Sequence, residues 1–285
     1  MAKVVFMTTG LLHEPMGHPR VEGFVQRAPG VFGAAEASEG FLGFPADQNE
    51  DDFTTLVYRA VESADRASNT LSVWRDLESV FAFSYSGAHA EALSKRQEWF
   101  GPSEFPGYAA WWIPDDQEPT WAEAQDRFGR LCHAGPGLHA FDFKHALGPD
   151  GEPYQIDRDV AKALMLRNAV RGVLAGYLAA WNEQDATDRR ALLDRVWAPD
   201  GHYTDPVSQA ATLAELDAVI GAFQAANPGA TFTQDGDFDH HHGHVRFYWK
   251  VQVRPGVELC GMDYGQVNAA NLLQTIVGFF GSKQK

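Results

Sequence analysis

Seven consecutive residues, Leu147-Gly148-Pro149-Asp150-Gly151-Glu152-Pro153, limit what this chain can fold into more than any other stretch. Two prolines lack the backbone donor that a helix or an inner strand requires, and two glycines admit left-handed turns. No regular element can run through the segment, so the chain reads as two halves. Its 285 residues are about twice the length of an ordinary domain. The charge divides near the same place: residues 1–158 hold 12 basic and 24 acidic side chains, and residues 159–285 hold 11 and 14. Two domains, 1–158 and 159–285, are expected.

A net charge of −15, with 45% hydrophobic and 12% aromatic residues, describes a globular chain with ample material for buried cores. The negative balance argues against nucleic acid and anionic membrane surfaces as partners, since either would repel it. The acidic run Asp47–Asp52 reads as a solvated surface loop. Cys132 and Cys260 cannot build a disulfide framework and are too few for a structural zinc site. The opening Met1–Phe6 lacks the length and cleavage site of a signal peptide. No window reaches the roughly 18 apolar residues of a membrane span. A cytoplasmic setting is therefore expected.

In the first half, Val4–Thr8 and Val80–Ser84 read as strands, the second through alternation of Phe81, Phe83 and Tyr85. A helix over Ala88–Trp99 follows, then the aromatic strand Tyr108–Ile113, closed by Pro114. Thr120-Trp121-Ala122-Glu123 is a capping-box pattern that opens a helix with Trp121, Ala124, Phe128 and Leu131 at helical spacing. His139–His145 reads as a strand with His139, Phe141, Phe143 and His145 on one side. The βαβ order implies an α+β sandwich with helices on one sheet face.

In the second half, Val160–Trp181 reads as a long helix with the stripe Leu166, Val170, Val173, Leu174, Tyr177, Trp181. Thr212-Leu213-Ala214-Glu215 opens another helix, stopped by Asn227-Pro228-Gly229. Only strands follow, near 230–238, 243–254, 257–266 and 271–280. Helices first and a curved antiparallel sheet afterwards form an α+β cone, in which sheet and long helix enclose a pocket.

Three residues of this half stand out for chemistry. Tyr177 lies on the inward stripe of its helix. Asp205 ends the strand His202-Tyr203-Thr204-Asp205, which Pro206 stops. Asp263 alternates onto one face with Gly261 and Gly265, which are expected to leave open space beside its carboxyl group. Trp181, Tyr203 and Trp249 are candidate substrate-binding side chains of the same half, and His89, His139 and Trp111 of the first. His139, on an apolar strand face, is expected as a core histidine, with a pocket role the alternative. The run His240-His241-His242, with His244, invites a metal reading, but alternation places these histidines on a polar face and at a surface turn. No metal site is expected, and phosphate-binding glycine loops and the Gly-x-Ser-x-Gly elbow are absent from the sequence.

Tyr177–Asp185, followed by Trp197-Ala198-Pro199-Asp200-Gly201-His202-Tyr203-Thr204-Asp205-Pro206 and the terminal Val277-Gly278-Phe279-Phe280-Gly281, resembles the nuclear-transport-factor-like superfamily. Within it the likeness points to SnoaL-like polyketide cyclases and ketosteroid isomerases, over about residues 160–285. The resemblance implies a general base at Asp205, an oxyanion-hole tyrosine at Tyr177, and a protonated acid at Asp263 that donates to the oxyanion. Such a site removes a proton beside a carbonyl while two donors hold the enolate oxygen. The superfamily also includes members with no known activity, so a structural or ligand-binding role for these residues stands beside the catalytic one.

A second resemblance covers most of residues 1–147. It rests on Ser72–Ser79, Phe83–Leu93, Trp99-Phe100, Trp111-Trp112-Ile113-Pro114, and His133-Ala134-Gly135-Pro136 with His139-Ala140-Phe141. These resemble a family of uncharacterised function with the ferredoxin-like, dimeric α+β barrel fold of antibiotic-biosynthesis monooxygenases. A homodimer is implied. The leading reading is a cofactor-independent isomerase or cyclase acting on a small hydrophobic carbonyl compound in the second domain. Its rivals are a cofactor-free monooxygenase in the first domain, a non-catalytic small-ligand-binding protein, and a haem site at His89 or His139.

Overall fold

The computed structural model describes residues 2–45 and 64–281, so the acidic run Asp47–Asp52 lies outside the described residues. The chain forms two compact units, Met1–Asn168 and Ala169–Lys285.

In the first unit, β1 (Ala2–Leu11), α1 (Glu22–Glu36), β2 (Phe41–Gly43) and β3 (Ala67–Trp74) come first. Three short helices follow: α2 (Leu77–Ser84), α3 (Gly87–Ser94) and α4 (Arg96–Trp99). β4 (Tyr108–Pro114) and α5 (Trp121–Ala134) complete the unit's main elements. The sheet runs β2-β3-β1-β4, with every neighbouring pair antiparallel. Alternation along β1 sends Val5 and Met7 to one face, against Trp111 and the α5 residues Trp121, Phe128 and Leu131. Val4 and Phe6 go to the other, with Trp74, Ala35 of α1, and Leu77, Val80 and Phe83 of α2. Helices therefore cover both faces of the sheet, not the single face expected.

Two expected strands of this unit are corrected. Val80–Ser84 belongs to α2, because Asp76 caps that helix by accepting from the Ser79 backbone N–H at 2.8 Å. Its aromatic residues imitated strand alternation, but Leu77, Val80 and Phe83 share a helical face. Residues His139–His145 are not a strand either. Phe141 alone exchanges two backbone bonds with Ala110, and Asp142 then caps a short 3₁₀ turn, Phe143–His145, by accepting from the His145 N–H. Residues 88–99 divide into α3 and α4 at Lys95.

The unit boundary falls inside α6 (Arg158–Asn182). Val170, Leu174, Tyr177 and Trp181 of its stripe are buried, whereas Leu166 is exposed. α7 (Ala186–Val196), which the apolar pattern did not reveal, starts where Asp185 accepts from the Thr187 and Asp188 N–H groups. Then come β5 (Trp197–Thr204), β6 (Gln209–Ala210), α8 (Leu213–Ala226), β7 (Thr231–Gln234) and β8 (Asp239–His241). The last strands are β9 (His244–Arg254), β10 (Val257–Val267) and β11 (Leu273–Phe280). Thr212 caps α8 by accepting from the Glu215 N–H, and the helix ends at Asn227 as its sequence demands.

The sheet of the second unit runs β6-β5-β11-β10-β9-β7, with β8 beside β9. β11 pairs with β5 in parallel, a departure from the all-antiparallel expectation. His242 and Gly243 both have positive φ and form the two-residue turn between β8 and β9. The histidine run is thus hairpin turn and flanking strand.

Candidate active site

The second unit's apolar interior converges on three polar side chains. Tyr177 reaches it because residues 170, 174, 177 and 181 follow helical spacing along the inward face of α6. Its ring stacks on Trp197 at 6.0 Å and meets Phe247 and Trp181 edge-on. Complete burial, and next the nearby Asp263 carboxyl, hold the Tyr177 hydroxyl well above its ordinary pKa. It stays a neutral donor.

Asp263 sits on β10 between β9 and β11, and is 5% exposed. Its Oδ1 accepts the Trp249 indole N–H at 2.7 Å. Burial raises its pKa to about 7; the nearby Asp205 charge pushes the same way, while donation from Trp249 and the Tyr177 hydroxyl oppose the rise. The expected open space at the two flanking glycines is corrected. A Cβ at Gly261 would stand 2.2 Å from Cζ2 of Trp249, and one at Gly265 would stand 2.7 Å from Cδ1 of Ile276. The room those glycines leave is filled, by Trp249 on one side and Ile276 on the other.

Asp205 follows β5 and closes a turn. Its Oδ1 accepts from the N–H groups of Val207 (2.8 Å) and Ser208 (2.6 Å), and its Oδ2 accepts from the Tyr203 hydroxyl (2.6 Å). A carboxylate offers about four acceptor positions, so three donors leave one lone pair of Oδ2 free. Burial first, and then the bond to Asp205, raise the Tyr203 hydroxyl above its ordinary value, which keeps it a donor.

Gly278 brings the two carboxylates together. It stands directly opposite Asp263 in the β10–β11 ladder, and its neighbour Val277 pairs with Thr204 of β5. A Cβ placed on it would meet Asp263 Oδ1 at 3.2 Å and Asp205 Cβ at 3.3 Å. The missing side chain therefore leaves the gap between the two acids open.

Both acids face a cavity of about 780 Å³, a size suited to a drug-sized ligand. Tyr177, Asp205, Asp263, Trp181, Tyr203 and Trp249 all line it. The remaining wall is chiefly apolar, and Phe223 and Phe232, which pack on Trp181, were not singled out from the sequence. Gly278, part of the terminal motif, and Ser208 were not read as site residues either. The only signals were a glycine within a hydrophobic terminal strand and the Asp-Pro-x-Ser spacing of an Asx-type turn.

The first-unit candidates do not join this site. Trp111 is fully buried in the core, with the Arg127 guanidinium over its ring. His89 packs on Phe83, and its Nδ1 lies 2.9 Å from the Ser84 carbonyl; burial lowers its pKa. His139, expected as a core histidine, is half-buried beside a groove lined by Glu123, Asp126, Arg127 and Arg130. Among the described residues no group of three or more His, Cys, Asp or Glu could hold a metal ion, and no helix is long and apolar enough to cross a membrane.

The family described as "Domain of unknown function (DUF3291)" matches residues 3–157. No curated protein matches the chain. Solved structures resemble about two-fifths of it. One, provisionally named an isomerase of the SnoaL-like family, from Agrobacterium tumefaciens, is 31% identical over 40% of this chain and 98% of its own, with a TM-score of 0.38. A provisionally named SnoaL-like polyketide cyclase from Jannaschia is 8% identical over 40% and 87%, with a TM-score of 0.36. A provisionally named polyketide cyclase from Sinorhizobium meliloti is 13% identical over 38% and 93%, with a TM-score of 0.31.

Proposed function

The chain belongs to the family of the domain of unknown function DUF3291, a description that assigns no chemistry, and we propose a function from the second unit: cofactor-independent proton transfer on a hydrophobic carbonyl compound. The observation that carries this reading is the pair of carboxyl groups flanking Gly278. One is buried, with its pKa raised to about 7; the other is an acceptor-only carboxylate with a lone pair to spare.

In the reaction, Asp205 Oδ2 takes a proton from the carbon beside the substrate carbonyl. The C–H electron pair becomes the enolate double bond, and the carbonyl oxygen takes the negative charge. The O–H of neutral Asp263 and the O–H of Tyr177 donate to that oxygen in a largely apolar cavity, where such bonds are strong. Return of the proton from Asp205 to a different carbon gives an isomer. Attack of the enolate carbon on a second carbonyl of the same molecule closes a ring instead: the first carbonyl re-forms, the second becomes an alkoxide, and Asp205 returns its proton to that oxygen. Trp181, Tyr203 and Trp249 are the walls that hold the substrate.

The test is exchange of α-hydrogen for deuterium in D₂O, followed by NMR on a panel of hydrophobic cyclic ketones. Catalysed exchange that Asp205→Asn abolishes supports the assignment. Catalysed exchange that survives in Asp205→Asn contradicts it.

For the first unit we infer a ferredoxin-like fold. Support comes from the strand order β2-β3-β1-β4 with a helix between β1 and β2 and helices between β3 and β4. We propose a functional boundary at 158; the end of the family match at residue 157 supports it.

A further inference from the structure

We propose that Trp249 is a positioning residue that decides which oxygen of Asp263 carries the acid proton. An indole N–H can only donate, and it donates here to Oδ1 at 2.7 Å. In a protonated carboxyl group the carbonyl oxygen is the better acceptor, so Oδ1 is the carbonyl and the proton resides on Oδ2. Without that donor the Tyr177 hydroxyl would be left as the donor on Asp263, and once it turns to the substrate oxygen the two carboxyl oxygens would be interchangeable by rotation or proton exchange, so the acid would present its O–H only part of the time. Trp249 thus pre-orients a hydrogen bond that the reaction needs only when charge develops.

The surrounding sequence is arranged for this one contact. Trp249 and Gly261 are paired across the β9–β10 ladder. A Cβ at 261 would stand 2.2 Å from the Trp249 ring and 2.5 Å from the Phe279 carbonyl oxygen. Only a glycine lets the indole lie along β10 toward Asp263, two residues away on the same face. Gly278 does the equivalent on the other side, keeping β11 clear of Oδ1. An indole whose purpose was wall area alone would not require its one polar atom on the buried carboxyl.

The groups facing Asp263 are Tyr177 from α6, Tyr203 and Asp205 from the end of β5, and Trp249 from β9; β11 presents Gly278. Glu258 and Cys260 line the same cavity from β10. The choice of oxygen stands on the indole contact, the presence of the proton on the raised pKa of the buried carboxyl, and its catalytic use on the proton-transfer reading above.

The experiment is an NMR titration of the whole chain, with Asp carboxyl carbons and Trp indole nitrogens labelled, and with Asp263→Asn and Trp249→Phe to assign the signals. The Trp249 indole N–H should shift with pH at the same midpoint as the Asp263 carboxyl, near 7. In Trp249→Phe that midpoint should rise by about one pH unit, as expected for losing one donor to a charged acceptor. An indole signal indifferent to the Asp263 titration in the wild-type protein overturns the proposal. An unmoved Asp263 midpoint in a folded Trp249→Phe chain overturns it equally. Neither readout needs turnover, so failure of the catalytic assignment would show separately, as absent α-hydrogen exchange.

Discussion

Both units bury tryptophans, place histidines or acids near aromatic rings, and build sheets with apolar faces, yet among the described residues the sequence-picked side chains of the first unit end mainly in packed core and those of the second line one cavity. In the first unit, Trp111, Trp74 and Phe141 are fully buried or nearly so, and His89 is spent on a carbonyl and a phenyl ring. In the second, Trp181, Tyr203 and Trp249 stand around a cavity whose acids are held at defined distances by glycine and by side-chain donors. Residue type does not distinguish a site from a core. What distinguishes them is unfilled volume beside polar groups that carry unequal hydrogen-bond partners.

Packing separates the two units most sharply. Trp111→Ala should destabilise the first unit by about 3–5 kcal/mol and leave α-hydrogen exchange in the surviving folded fraction unchanged. Thermal unfolding alongside the exchange assay would check both.

Asp263 gives the next largest effect, with a sign that depends on pH. Its carboxyl titrates near 7 when folded but at about 3.9 when unfolded. The unfolded chain therefore releases its proton first. Stability that is fully present below the unfolded value is lost as pH rises through the folded one, on the order of 4 kcal/mol in total. Asp263→Asn stays neutral and can still accept from Trp249, so its melting temperature should exceed the wild type's above neutrality and converge with it in acid. Parallel pH dependences would remove Asp263 as a buried acid.

Gly278→Ala should cost about tenfold in kcat/KM, roughly 1.4 kcal/mol, because its Cβ would press on Asp263 Oδ1 and Asp205 Cβ at 3.2 and 3.3 Å. Steady-state kinetics at constant fold, checked by circular dichroism, would show it. The smallest effect belongs to His139→Ala, which should change stability by no more than about 0.5 kcal/mol and leave kinetics alone.

Much of the second unit was legible because its signals are local. Thr212 and Glu215 announce α8, helical spacing turns Tyr177 inward, and alternation puts Asp263 on the inner face of β10. The failures arose where distant partners decide. Aromatic residues at 81, 83 and 85 suit a strand as well as a helix, and the Asp76 cap selects the helix. The space beside Asp263 could not be read from Gly261, since the ring that fills it belongs to β9. Gly278 acquires meaning only when β11 pairs with β10 on one side and, in parallel, with β5 on the other. No local pattern encodes that.

Chemistry in the second unit, with Asp205 as base, makes enone formation depend on residue 205 and not on residue 89. The most direct measurement is the rate at which a β,γ-unsaturated cyclic ketone becomes conjugated, followed by enone absorbance, for wild type, Asp205→Asn and His89→Ala. Asp205→Asn should lose about 10²–10⁴-fold, and His89→Ala should keep the wild-type rate. A wild-type rate in Asp205→Asn, or a collapse confined to His89→Ala, would contradict the assignment of Asp205.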